Sequence, residues 1–446
     1  MSNNNIPQIK VTIESIDAEG KGIARVDGKT VFIPDVLPDE EVLIEIYKTK
    51  PKFDLARIVE IIEPSKDRIE PECPNFKICG GCSIQHIEFN AQVRNKEKVL
   101  LDNLKHIGRV DVANILPPIL GKSWGYRHRA RLSARYVEKK GGALVGFHEK
   151  ASSYVADIHE CLILPKHISD LIPELRALLT KLSIKDRIPQ IEVAIGDQIS
   201  VLVLRVMENL SLADENYIKE FIDKSSTTEH PIQIWLQPKG PDSCYPFYPI
   251  SAPMLSYTLP KSQIEIQFYP TEFTQVNPEL NQQMVDQAIR LLNLNENDIV
   301  CDFFCGIGNF TLAIAKLAKH VKGIEGSEAL TRRALENALH NNLADKTDFS
   351  PMNLFQINAE SLASLGKFDK WLIDPPRDGA KELVAAITPE IAPSLIVYVS
   401  CNPATLARDA NTLVHEHRYK LIHAGVMNMF PHTSHVESIA VFINQQ

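Results

Sequence analysis

Three cysteines fall within ten residues in PECPNFKICGGCSIQH (71–86), at Cys73, Cys79 and Cys82, and Cys161 stands far downstream in IHECLIL. Four thiolates suit either tetrahedral Zn²⁺ or a [4Fe–4S] cluster. Zinc sites usually pair two C-x2-C arms. Here one spacing is five and the fourth cysteine is alone, which leans toward the cluster and leaves zinc open. A different cysteine, Cys401 in YVSCNPAT, closes a strand-like run. Free cysteine is often core filler, but at a strand end on the ligand edge of an α/β sheet it reads as a nucleophile. One reaction needs such a thiol. Carbon 5 of uracil attacks a methyl sulfonium poorly until a thiolate has added at C6, and a base must then remove the C5 proton before the thiolate leaves. Glu437, in FPHTSHVESIAVF just ahead of an apolar strand, is the candidate base, with His432 and His435 as competitors.

A methyl donor needs its own pocket. The run Cys301-Asp-Phe-Phe-Cys-Gly-Ile-Gly-Asn309 ends a strand and opens a helix, with Gly306 and Gly308 in the turn. Glycines there let backbone approach a ligand closely. With only two of them, a dinucleotide loop is poorly matched. The next strand ends at Glu325, nineteen residues past Gly306, where a carboxylate can accept both ribose hydroxyl protons. This unit fits S-adenosylmethionine better than NAD. Ligands of such sheets lie at the carboxyl ends of strands, and Asn353, Asp374 and Ser400-Cys401 end the next three. In Asp374-Pro-Pro-Arg377, an arginine stands where adenine N6-methyltransferases carry an aromatic, which argues for another target base.

Three segments must position these groups. Residues 1–62 hold five short alternating runs, which predicts a small oligonucleotide-binding-type β-barrel. Residues 63–270 contain the thiols, the helical stretch NAQVRNKEKVLLDNLKHIG and many β-rich runs, an α+β central domain. Residues 271–446 alternate strand-like and helical stretches, the pattern of a doubly wound, Rossmann-like sheet. In YRHRARLSAR, Arg127, Arg129, Arg131 and Arg135 share parity, so a strand would present them on one face as a phosphate-binding stripe. The formal net charge of −8 argues against a bulk polybasic nucleic-acid binder but permits such a local stripe. No apolar run is long enough for a membrane span, and MSNNNIPQIK has no leader pattern, so a cytoplasmic location with reduced thiols is expected. Cys244, Cys301 and Cys305 are left as packing residues.

The stretches FTQVN (273–277), DFFCGIGNF (302–310), DPPR (374–377), SCNP (400–403) and FPHTSHVES (430–438) resemble the RNA uracil-C5 methyltransferases. The N-terminal segment resembles their RNA-binding TRAM barrel, and barrel plus cysteine set is similar to the branch acting on large-subunit ribosomal RNA. The resemblance implies that Cys401 is the nucleophile and Glu437 the base. It implies S-adenosylmethionine contacts at Gln275, Phe304, Asn309, Glu325, Asn353 and Asp374, and a closed [4Fe–4S] cluster on Cys73, Cys79, Cys82 and Cys161. The implied partner is 23S ribosomal RNA with the target base flipped out, with no membrane and no obligate protein partner. A transfer-RNA uracil methyltransferase is the alternative, disfavoured by the barrel and the thiols. An iron–sulfur RNA-binding assembly factor is a third reading.

Overall fold

A computed structural model of the chain describes residues 7–17 and 19–445. The N-terminal stretch read for a leader lies, through residue 6, outside them. Six strands build the first unit: β1 (Gln8–Thr12), β2 (Ser15–Ile16), β3 (Gly22–Val26), β4 (Lys29–Ile33), β5 (Glu41–Thr49) and β6 (Phe53–Glu63). Their order is β1-β5-β6-β4-β3-β2, around a core that includes Ile13, Ala24, Val31, Ile33 and Ile44. The run IKVTIESI, expected as one strand, splits into two. β1 pairs with β5, and after a corner at Ile13 and Glu14 the chain pairs with β3 instead.

Glu40, fully buried, fastens this barrel to the thiol segment. Its carboxylate accepts from the Leu37 amide at 2.8 Å, the Ser65 amide at 3.2 Å and the Arg68 guanidinium at 2.5 and 2.8 Å. A buried charge is tolerable only when paired and hydrogen-bonded in this way.

The helix Phe89–Asn103 and the short strand β7 (Asn114–Ile115) come next. The helix lies beside residues 403–415 and 419–427, far along the chain, rather than on the central sheet. The central sheet is made of β8 (Arg129–Val137), β9 (Gly142–Gly146), β10 (Gln190–Ile195), β11 (Ser200–Arg205), β12 (Ile232–Gln237) and β13 (Tyr245–Tyr248). Its order is β13-β12-β11-β10-β8-β9, and helices Leu171–Lys181 and Leu212–Ser225 bury their apolar faces against it. A hairpin, β14 (Leu255–Leu259) and β15 (Ile264–Phe268), shares a core with the helix Pro278–Leu292 and with Ile307 and Phe310.

The C-terminal sheet contains β16 (Ile299–Phe303), β17 (His320–Glu325), β18 (Thr347–Pro351), β19 (Lys370–Ile373), β20 (Leu395–Ser400), β21 (Tyr419–Met427) and β22 (Glu437–Asn444), in the order β18-β17-β16-β19-β20-β22-β21-β7. The first five run parallel, and β22 enters antiparallel between β20 and β21. The doubly wound reading of this segment therefore holds, with β7 contributed from well before residue 271. Among the described residues no helix is long and apolar enough to cross a membrane.

Candidate active site

Strand register brings the two catalytic candidates together. Ser400 on β20 pairs with Ser438 on β22. One residue further along the same antiparallel register, Cys401 leaves β20 as Glu437 opens β22. The Ser438 hydroxyl donates to the Ser400 carbonyl at 3.1 Å and locks this end of the pair. The turn after Cys401 is built by Asn402, whose side chain accepts from the Ala404 amide at 3.1 Å and caps the helix Pro403–His415.

Four carboxyls gather behind Cys401. Glu437 is buried, and burial followed by the nearby charge of Asp374 pushes it well above the usual carboxylate range. Asp374, half-buried after β19, is raised by desolvation. Asp302, fully buried in β16, is pushed up to about 8 by burial and by Asp374 and Glu325, although Thr311 donates a 2.5 Å hydrogen bond to one of its oxygens. Its other oxygen is buried with no hydrogen-bond partner among the described residues. Crowded carboxyls resist sharing negative charge. Burial, then Glu437 and Asp374, push the Cys401 thiol up to about 11, opposed by Arg377 at the rim. Among the described residues none of Asp302, Glu325, Asp374 and Glu437 has an ion-pair partner. A pocket of this kind fits a cationic ligand and disfavours a pyrophosphate.

The glycine turn completes it. Phe304 (φ 65°) and Gly306 (φ 54°) are both left-handed, and a Cβ on Gly306 would meet no atom within 4 Å, so its face is open to a ligand. The Gly306 amide donates to Glu325 at 3.2 Å and the Ser327 amide donates to the other Glu325 oxygen at 3.1 Å. Phe304 and Phe355 place their ring centroids 5.8 Å apart beside the loop that carries Asn353. Asn353 is exposed, two residues past β18, and caps its own loop through the Phe355 amide at 3.0 Å. The Asn309 side chain is engaged elsewhere: it accepts from the Tyr257 hydroxyl at 2.8 Å and exchanges bonds with Asn281 at 2.9 and 3.0 Å. Gln275 is half-buried in the loop between β15 and the helix Pro278–Leu292. This loop is held by Arg129, which donates to the Glu272 carbonyl at 2.8 Å.

That use of Arg129 breaks the expected phosphate stripe. Arg127 donates to the Arg129 carbonyl at 3.0 Å, and exposed Arg131 sits 3.1 Å from Glu192, so among the described residues Arg135 is the member of the four left unpaired. Parity fixed a common face, but part of that face is covered by the 271–277 loop.

Of the competing bases, His432 is turned away. It is buried, stacks on Trp124 at 3.8 Å and bonds Gln92 at 3.3 Å. His435 is exposed against Phe430. Sequence reasoning missed Asp302. Its signal was an acid inside an otherwise apolar strand, which burial makes expensive.

The four thiols Cys73, Cys79, Cys82 and Cys161 line a single pocket with Phe76, Trp124 and Phe147. Burial pushes Cys82 and Cys161 up to about 12. Among the described residues no group of three or more His, Cys, Asp or Glu side chains is arranged to hold a metal ion. What the structure does show is a convergence of the four thiols on one pocket. The donor set itself, four sulfurs in one largely apolar pocket, fits a group held by four thiolates.

Residues 8–59 match the TRAM domain family, and residues 254–446 match the family described as tRNA (Uracil-5-)-methyltransferase. A 23S rRNA (uracil(1939)-C(5))-methyltransferase, RlmD, of Chromobacterium violaceum is 56% identical over 436 residues, covering 98% of this chain and 85% of that protein. The protein of the same name from Nitrosospira multiformis is 53% identical, covering 97% and 98%. The crystal structure of Pyrococcus abyssi tRNA (uracil-54, C5)-methyltransferase with S-adenosyl-L-homocysteine superposes with a TM-score of 0.73 at 24% identity, over 98% of this chain and 100% of that one, a likeness of fold. With more than half of its residues shared along nearly its whole length, the chain belongs to the RlmD family of 23S rRNA (uracil-C5)-methyltransferases.

Proposed function

We propose that this chain is an S-adenosylmethionine-dependent enzyme that methylates C5 of a uracil in 23S ribosomal RNA, the base its relatives' names put at position 1939. The observation that carries the reading is the pairing of Cys401 and Glu437 across adjacent strands, over an acidic pocket at the glycine turn. When bound, S-adenosylmethionine supplies an electrophilic methyl group on a sulfonium. Its positive charge suits Asp302, Asp374 and Glu325, with Glu325 at the ribose and Gln275, Phe304, Asn309 and Asn353 around the nucleoside. A cation beside Asp302 and Asp374 favours their ionised forms.

Cys401 first gives up its proton to solvent; the thiolate then adds its sulfur to C6 of the flipped uracil, and the C5–C6 π electrons move to C5 and the C4 carbonyl. C5 then takes the methyl group, the sulfonium carbon–sulfur bond breaking with its electrons left on sulfur. Glu437 accepts the remaining C5 proton, the C5–C6 double bond re-forms, and the Cys401 thiolate departs. Arg377 at the rim favours the thiolate over the thiol. The barrel of residues 1–62 and exposed Arg135 are the proposed RNA contacts, residues 63–270 carry the thiols, and residues 271–446 carry the chemistry, with the helix Phe89–Asn103 and β7 added to the last. Such a reading places the protein in the cytoplasm with its rRNA. Mapping methyluridines in 23S rRNA incubated with the protein and cofactor tests it. Wild type should yield one 5-methyluridine and Cys401→Ala none; methylation retained by Cys401→Ala would sink the assignment.

Cys73, Cys79, Cys82 and Cys161 would hold a [4Fe–4S] cluster, supported by their shared pocket and by family membership. Its role would be structural, tying residues 73–82 to residue 161. Anaerobically purified protein should be brown and contain about four irons per chain, and Cys82→Ser should lose them. A colourless protein loaded with zinc would overturn the assignment.

A further inference from the structure

The thiol pocket and the segment bearing the base share a wall. Directly after Cys82, the Ser83 and Ile84 amides both donate to the His432 carbonyl, at 2.9 and 3.0 Å. The Ser83 hydroxyl accepts from the Ser434 amide at 3.1 Å. Trp124 lines the thiol pocket on one side and stacks its ring on His432 with an interplanar angle of 18° on the other. Tyr126, two residues on, donates from its hydroxyl to the Pro431 carbonyl at 2.9 Å. Behind this segment buried Lys96 donates to Asn428 at 2.7 Å and to the Phe430 carbonyl at 2.8 Å, while the Gln92 side-chain oxygen accepts from the His432 amide at 2.9 Å.

These contacts hold a segment that would not otherwise keep its shape. His432 sits at φ 65°, a left-handed conformation costly for a side chain with a Cβ. Strain of this kind persists only where surroundings over-determine it. Glu437 follows five residues later, with no intervening element, so its position opposite Cys401 depends on where residues 428–436 lie.

We infer that Ser83, Ile84 and Trp124 are positioning residues for the base Glu437, and that ligation of the four cysteines sets the rate of C5 proton removal by fixing this mount. The inference rests on the proposed methyl transfer. A bound group draws Cys73, Cys79, Cys82 and Cys161 together and fixes the 82–84 backbone; bare thiols leave it slack. Nucleophile and cofactor pocket stand on other strands, so thiol addition and methyl transfer continue while proton removal slows.

The test uses the full chain. In Trp124→Ala, the methylated covalent protein–RNA adduct should accumulate on denaturing gels, as in Glu437→Gln. Turnover should fall about tenfold or more with the KM for RNA nearly unchanged, a loss confined to a step after binding. Iron content should match wild type, and Trp124→Phe should restore turnover. Independently of turnover, hydrogen exchange in peptide 428–438 should quicken when iron and sulfide are stripped from the wild-type protein and slow again on reconstitution. Adduct falling in parallel with turnover, or exchange indifferent to stripping, would overturn the inference. Absence of adduct in Glu437→Gln itself would instead remove the proposed reaction, and the exchange result separates the two.

Discussion

At the scale of single residues, the site is a store of carboxyls whose burial favours the neutral form. Asp302, Asp374 and Glu437 all titrate above their ordinary values in the folded chain because burial disfavours their ionised forms. A carboxyl whose folded value is raised stabilises the fold fully below its unfolded value near 4, and that contribution is lost as pH climbs through the folded value. The cofactor-free protein should therefore lose thermal stability between about pH 4 and pH 8, the window set by Asp302. Asp302→Asn keeps an acceptor for Thr311 and removes the charge. It should raise the melting temperature of the cofactor-free protein at pH 8 by a few degrees and weaken S-adenosylmethionine binding. Calorimetry with and without the cofactor checks both signs; an unchanged pH slope would refute the account. Cys401 and Glu437 were legible as residues because their neighbours form specific motifs. Asp302 was not, because nothing in a sequence says which acid in a strand is deprived of water. Asn309 shows the converse: its motif position suggests a ligand contact, and the structure adds what no motif shows, that Tyr257 and Asn281 hold its side chain in place.

At the scale of elements, strand alternation and helix signals exposed the parallel half of the C-terminal sheet, whereas pairings across long stretches of chain stayed hidden. The docking of the β14–β15 hairpin on a helix some seventy residues later is one of these. Asn337, buried in the helix Glu328–His340, accepts from the Gln267 amide at 2.9 Å and donates to the Gln267 and Ile307 carbonyls, each at 3.1 Å. One side chain thus ties the hairpin edge to the glycine turn. Asn337→Ala strands a buried amide and two carbonyls, and should cost about 2–4 kcal/mol in denaturant unfolding. It should also weaken cofactor binding, because Ile307 lies between Gly306 and Gly308. Destabilisation under 1 kcal/mol would show that the hairpin is held by apolar packing alone. The arginine stripe illustrates the same limit: parity on β8 was readable, but the loop that covers Arg129 comes from over a hundred residues later.

At the scale of the whole molecule, each of the three sequence segments holds one large sheet, the middle one with the β14–β15 hairpin besides, yet the boundaries are crossed. Residues 113–119 run along β21. Asn114 and Ile115 pair with His423 and Ala424, the Leu116 and Ile119 amides donate to the Ala424 and Val426 carbonyls, and the Asn428 amide donates back to Ile119. The chain approaches so closely at Gly425 that an added Cβ would lie 2.7 Å from Leu116. No sequence pattern announces a two-residue strand serving a sheet assembled almost two hundred residues later. A bare edge strand invites pairing with other chains. A catalytic half begun at residue 271 would carry β21 with its outer hydrogen bonds unmade, and self-association would be its fate. Recombination that trades RNA-binding modules among methyltransferases is thereby constrained: a viable exchange has to keep residues 89–119 with the catalytic half, so the seam along which this protein can be rearranged runs through the middle of its chain order, not at the joint the segments suggest.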